Sequence, residues 1–195
     1  MEKLFIKNMV CNRCIMVVKN ELEQLGLHPT EVTLGEVRLA EAVDQSTKVA
    51  LSAALEPLGF QLIDDRRSQL IELIKSSIIT LVHHQDQTLK TNLSDYLSEK
   101  LNQEYSYLSS LFSEVEGTTI EKYYIAQRIE KVKELLVYDE WSLSEIAVHL
   151  NYSSVAYLSN QFKKVTGLTP SHFKKIRADK RRPLDEVWIV PLNSR

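Results

Sequence analysis

Cysteine is nearly absent from this 195-residue sequence: the only two, Cys11 and Cys14, fall within the stretch MVCNRCIMVV. Two thiols cannot build a disulfide scaffold, so a reducing, cytoplasmic setting is the expectation. Long apolar runs are missing as well. No window approaches 18 uncharged apolar residues, which excludes a membrane-spanning helix. The opening MEKLFIKNMV lacks the apolar core and small-residue cleavage site of a secretory signal. A large net charge is also lacking: the formal value is −2, which argues against a uniformly basic nucleic-acid binder. With five glycines and five prolines the chain is neither low-complexity nor collagen-like. It has no Gly-rich phosphate loop and no His/Asp partner beside the cysteine pair, so no enzyme activity is expected.

What is present is an ordinary globular composition, 44% hydrophobic and 26% charged, of a length that suits one large domain or two small ones. The charge is unevenly placed. Residues 91–140 carry five Lys/Arg against ten Asp/Glu, whereas residues 141–182 carry eight against two. A short basic segment is a candidate surface for a polyanion, phosphate backbones being the commonest, and its alternative is a solvated basic face.

Residues 3–64 read as a small mixed unit. KLFIK is a strand with Leu4 and Ile6 on one face. CIMVVKNELEQLGL sets Ile15, Val18, Leu22 and Leu25 at helical spacing and closes at Gly26. Val32 and Leu34, then Val37 and Leu39, alternate around Gly35 as a hairpin. TKVALSAALEPLG is a second helix with Val49, Leu51, Ala54, Leu55 and Leu58 on one side, and FQLID is a closing strand. The order βαββαβ predicts an α+β, ferredoxin-like domain.

From Ser68 onward the pattern is helical. Leu70, Ile71, Leu73, Ile74, Ile78, Leu81 and Val82 are too apolar for a free linker and predict a helix packed on one or both neighbours. His83 and His84 would end it, where cations suit the helix dipole. Further on, the chain repeats itself. Leu101-Asn102 recurs as Leu150-Asn151, and Tyr107-Leu108-Ser109, Phe112, Gly117 and Thr119 recur as Tyr157-Leu158-Ser159, Phe162, Gly167 and Thr169. Two copies of a helix-turn-helix, joined by a long helix over TTIEKYYIAQRIEKVKELLVY, account for this spacing. Ile125, Ile129, Val132 and Leu136 of the joining helix would pack against both copies.

In the second copy a helix over residues 153–165 is of a size to enter a major groove. It places Val155, Ala156, Ser159 and Asn160 outward, Tyr157, Leu158 and Phe162 inward, and Lys163 and Lys164 where phosphates would lie. The stretch LSEIAVHLNYSSVAYLSNQFKKVTGLTPSHFKKIR resembles the signature of the AraC/XylS family of bacterial transcription regulators, and the likeness extends over residues 93–177. That resemblance implies an all-α tandem helix-turn-helix domain and double-stranded promoter DNA as partner, with RNA polymerase and a second copy of the chain as further expected partners. Pro170 would start a last helix and Phe173 fill its core. The first copy departs from the family. Ser106, Ser109 and Ser110 occupy its base-facing positions, and Ser110, Ser113 and Glu114 stand where basic residues are usual. Serine discriminates poorly between bases, so the second copy should dominate specificity. Asn151-Tyr152 replaces the usual Gly-Phe, and asparagine tolerates the left-handed turn required there.

The cysteine pair lies where the first strand enters the first helix, a place that lowers thiol pKa values. NMVCNRC, with LEPLGF later, resembles the loop and helix ending of heavy-metal-associated domains of copper chaperones and P-type ATPases, although Asn8 replaces their loop glycine. The resemblance implies Cys11 and Cys14 as ligands of a soft ion, Cu(I) or Zn(II). Three readings stay open: a metal sensor, a dithiol–disulfide switch, and a dimerisation or small-ligand module with incidental thiols. Only His28 lies near in sequence to complete a four-ligand site, and Met16 reads as core. The expected organisation is a sensor domain over residues 1–65, a connecting helix over 66–90, a DNA-binding domain over 91–178 and a tail over 179–195. In the tail, Lys180, Arg181 and Arg182 would extend phosphate contact and EVWIV would be an edge strand or partner segment. The competing expectation is a metal-trafficking or redox protein whose helices bind a protein partner.

Overall fold

The computed structural model describes residues 2–84, 91–138 and 141–176. Strand β1 (Glu2–Lys7) leads into helix α1 (Asn12–Gln24), and β2 (Pro29–Thr33) and β3 (Glu36–Leu39) form the hairpin expected around Gly35. Helix α2 (Gln45–Leu55) and a 3₁₀ turn (Glu56–Leu58) precede β4 (Gln61–Ile63). The sheet order is β2-β3-β1-β4, with every neighbouring pair antiparallel. Leu4 and Ile6 share one face of β1, as a period of two requires, and meet Val18, Leu22, Val37, Leu39, Leu51 and Leu55 in one core.

Three apolar residues expected in this core lie outside it. Met16 is 70% exposed, Val49 61% and Leu58 46%. Burial on α1 follows Val18 and Leu22, and on α2 Leu51 and Leu55. Met16 and Val49 each sit two residues before such a pair, roughly 200° around the helix. Leu58 falls in the 3₁₀ turn containing Pro57, which lacks the N–H that would continue α2.

Helix α3 (Arg66–Ile79), capped by the Asp65 carboxylate accepting from Ser68 N–H at 2.8 Å, continues into a π turn (Thr80–His84). Its Ile71, Ile74, Ile78 and Val82 belong to a core with Leu97, Leu108, Leu111, Phe112, Ile120 and Tyr123. Another face of α3 meets the sheet domain so closely that a Cβ on Gly35 would lie 3.5 Å from Ser76 Oγ. The connecting helix therefore packs on both neighbours. His83 does not end it as a cation: burial pushes its pKa down to about 4, and the ring is neutral.

The helical part comprises α4 (Leu93–Leu101), α5 (Tyr105–Glu116), α6 (Ile120–Tyr138), α7 (Leu143–His149), α8 (Val155–Thr166) and α9 (Pro170–Ile176). The two turns of the repeat differ by one residue in length, the spacing between copies passing from 49 to 50, but each holds one asparagine in the same backbone conformation. Asn102 and Asn151 both adopt the left-handed conformation, with φ 50 and 52. Short polar side chains tolerate it, so neither turn needs glycine. Ile129, Val132 and Leu136 of α6 form a second core with Ile146, Leu158, Phe162 and Phe173, and Ile125 lies against it. All four residues expected to serve both copies thus serve the second. The first copy takes Ile120 and Tyr123, from the first turn of α6. The sequence features noted at Lys180, Arg181, Arg182 and EVWIV lie outside the described residues.

Candidate functional site

The second helix-turn-helix is fixed by polar contacts at its ends and aromatic packing beneath. Ser142 and Glu145 form a reciprocal capping box that starts α7. From α6, Arg128 donates to Leu150 O and stacks 3.9 Å from the Tyr152 ring centre, clamping the turn before α8. Tyr152 OH donates to Gln161 Oε1 at 2.8 Å. Burial pushes the Tyr152 phenol pKa up to about 12. Ser154 Oγ accepts from Tyr157 N–H at 3.1 Å and caps α8. Below, Phe162 and Phe173 meet edge to face with centroids 5.5 Å apart.

On this support α8 buries Leu158 and Phe162 and exposes Val155, Ala156, Asn160, Lys163 and Lys164. Ser159, expected fully outward, is half-buried. Tyr157, expected in the core, is 53% exposed, because the buried stripe follows Leu158 and Phe162, and its ring lies 6.1 Å from that of Tyr152. The last turn of α9 adds two exposed cations, Lys174 and Lys175, that sequence reasoning did not single out as site residues. Their signal was the FKK at residues 173–175, which repeats the FKK of α8.

The first copy has the same frame and a different surface. Ser106 and Ser110 are exposed and Ser109 is half-buried. Ser113 and Glu114 stand where the second copy has Lys163 and Lys164. Glu114 pairs with Arg67 of α3 at 2.8 Å, and Glu116 pairs with Lys75 at 2.8 Å. Leu111 is buried at a position where the repeat has Gln161.

The thiol pair sits at the N-terminus of α1. Cys11 is its N-cap residue and Cys14 lies in its first turn; both are partly buried, with sulfurs 3.4 Å apart. Burial alone would raise the Cys11 pKa, but the N–H groups of Cys14 and Arg13 and the Cys14 thiol together hold it below the ordinary thiol value. Burial pushes the Cys14 thiol up. Cys11 is thus the thiol that ionises first. Met9 fills the sheet-domain core at 2% exposure. Among the described residues no cluster of three or more His, Cys, Asp or Glu side chains is arranged to hold a metal, and His28 is exposed. Among the described residues the pair offers two thiolate ligands and no third or fourth ligand beside them.

Residues 97–176 match the family model described as a helix-turn-helix domain. Over 102 residues the chain is 28% identical to the uncharacterized HTH-type transcriptional regulator YtdP of Bacillus subtilis (strain 168), covering 52% of this chain and 13% of that protein. It is 29% identical over 117 residues to the transposon Tn10 TetD protein of Escherichia coli, covering 60% and 83%. It is 23% identical over 189 residues to the xylose operon regulatory protein of Escherichia coli (strain K12), covering 87% and 48%. Among solved structures, the C-terminal domain of AraT, a response regulator from Geobacillus stearothermophilus, is 25% identical with a TM-score of 0.49, covering 60% of this chain and 95% of that one. This chain therefore spans a small part of one of these curated relatives, about half of another and most of the third. No helix among the described residues is long and apolar enough to cross a membrane. Over residues 97–176 the chain thus carries a helix-turn-helix domain, in agreement with the two copies seen in the fold.

Proposed function

We propose that the chain is a sequence-specific, DNA-binding transcription regulator whose N-terminal domain senses a soft metal ion or the redox state of its thiols. The observation that carries the DNA-binding reading is α8, an exposed helix with Asn160 amid small residues and a lysine pair one turn on, set in a domain matched as helix-turn-helix. Such a helix lies in the major groove, with Val155, Ala156, Ser159 and Asn160 at base edges and Lys163 and Lys164 at phosphates. Lys174 and Lys175 extend the cationic surface, and the serines of α5 contribute weakly.

The βαββαβ order and the β2-β3-β1-β4 antiparallel sheet support a ferredoxin-like sensor. Cys11 and Cys14 would hold a soft ion, Cu(I) or Zn(II), for which thiolates are suitable ligands. Their opposite pKa directions also favour a dithiol switch, since the thiol held lower, Cys11, is the better candidate for the attacking sulfur. In that case hydrogen peroxide takes the two electrons and two protons of the dithiol, giving the disulfide and two molecules of water. Either state acts by binding one arrangement of the domains better than another.

Electrophoretic mobility shift with duplexes selected from a random pool tests the reading. Salt-sensitive, sequence-dependent retention is expected; no salt-sensitive binding to any duplex would remove it.

A further inference from the structure

The thiol-bearing end of the sheet domain rests on α3. Val10 O, one residue before Cys11, accepts from His84 Nε2 at 3.0 Å across 74 residues of sequence. The Asn8 backbone N–H faces the Glu72 carboxylate and favours its charged form, although burial pushes that pKa up. Asn8 is held at φ 72, and its side-chain amide donates to Gly59 O at 2.9 Å, so the start of the loop has little freedom.

The same stretch of α3 reaches the helix-turn-helix domain. Lys75 lies 3.5 Å from Glu72 and 2.8 Å from Glu116 at the end of α5, and all three side chains are largely buried. His83 Nε2 is 3.0 Å from Gln127 Oε1 on α6, and Gln127 Nε2 donates to Tyr123 OH at 3.1 Å. Two routes thus leave the cysteine loop, one through paired side chains and one through the backbone joining His83 and His84. One runs through Glu72 and Lys75 to α5, the other through His84 and His83 to α6.

We propose that α3 and its π turn couple the cysteine pair to the DNA-binding domain, with Glu72 and His84 reading the loop backbone and Lys75 and His83 passing the change to α5 and α6. The proposal rests on the reading of Cys11 and Cys14 as a sensing pair. Closing both thiolates on one ion reorients the peptide groups of residues 8–11, the groups that Glu72 and His84 hold. Buried, mutually bonded charges respond sharply to loss of one partner, because the low dielectric leaves the remainder uncompensated. The π turn is a rare form that recurs at functional sites. Returning it to α register would turn the two histidines by roughly 100° relative to the loop. That supplies the discrete second arrangement that coupling needs.

The test uses the full chain, a fluorescent duplex from the selection above, and Cu(I) under anaerobic conditions. For the wild type, Cu(I) should change the DNA dissociation constant about fivefold or more, the usual lower range of allosteric coupling. Glu72→Gln and His84→Ala should each bind one Cu(I) per chain, measured by competition with a colorimetric chelator. They should also bind DNA like the ion-free wild type, which verifies their fold. Their response to Cu(I) should fall to within twofold, and His84→Gln, which retains a donor for Val10 O, should restore it. A full response in both variants overturns the coupling while leaving the sensor intact. Loss of Cu(I) binding in either variant also overturns it, since that residue would then belong to the ion site. No response in the wild type removes the Cu(I)-sensing reading, and the coupling argued from it.

Discussion

The two helix-turn-helix copies share a left-handed asparagine in the turn and matching cores, and differ in what they show to solvent. Asn102 and Asn151 take the same backbone conformation, and Phe112 and Phe162 fill equivalent cores at 0% exposure. Yet the last turn of α5 carries Ser113 and Glu114, tied through Glu114 to Arg67, where the last turn of α8 carries Lys163 and Lys164. The frame is set by buried and turn positions, which the repeat preserves. The chemistry is set by exposed positions, which it does not. One copy seats the connecting helix, and the other, on the function proposed above, is the reader of DNA.

The largest effect is expected where the copies are alike. Phe162→Ala and Phe112→Ala should each destabilise by about 3–5 kcal/mol in thermal unfolding. A cost confined to one copy would show that the cores are not equivalent. The next effect separates them. His83 is buried against α6 with a pKa of about 4, so the unfolded chain takes up the proton first, near pH 6.5. Stability from this group is complete above that pH and falls as pH drops towards 4, by about 3 kcal/mol in all. Urea titrations at pH 7 and pH 4.5 should show the loss, and His83→Gln should reduce it.

Smaller still is the effect on base choice. Asn160→Ala should narrow the gap between the best and the altered duplex by about 1–3 kcal/mol, whereas Ser110→Ala in the first copy should leave it in place. Equal losses from both would put α5 in a groove beside α8. The smallest effect is Glu114→Lys. Its ion pair with Arg67 is exposed, so stability should change by under about 1 kcal/mol. Affinity for every duplex should rise if α5 lies near phosphate, and stay unchanged if α3 keeps it away.

Much of this architecture is legible in the chain because local rules decide it. Period-two alternation marks Leu4 and Ile6, and the spacing of Val18 and Leu22 marks α1. The repeat marks the tandem units. Errors come where a helix carries more apolar residues than its buried stripe can hold. Met16 and Tyr157 both read as inward and both are exposed, since orientation is decided by the partner surface and not by residue type. The dual role of α3 is only half visible. Its apolar residues predict packing, but Val10 to His84 and Lys75 to Glu116 are long-range pairs that no local pattern encodes. The thiol pair is legible as a motif, and its unequal ionisation only as geometry around the N-terminus of α1.

The division of labour between the copies is tested most directly by the salt dependence of DNA binding, followed by fluorescence anisotropy. Replacing Lys163 and Lys164 together by alanine should lower the slope of log K against log salt by about 0.9 for each phosphate no longer neutralised, and weaken all duplexes alike. Replacing Ser113 and Glu114 by alanine should not lower it. An unchanged slope in the lysine variant, with a reduced one in the first-copy variant, would contradict the assignment of α8 as the reading helix.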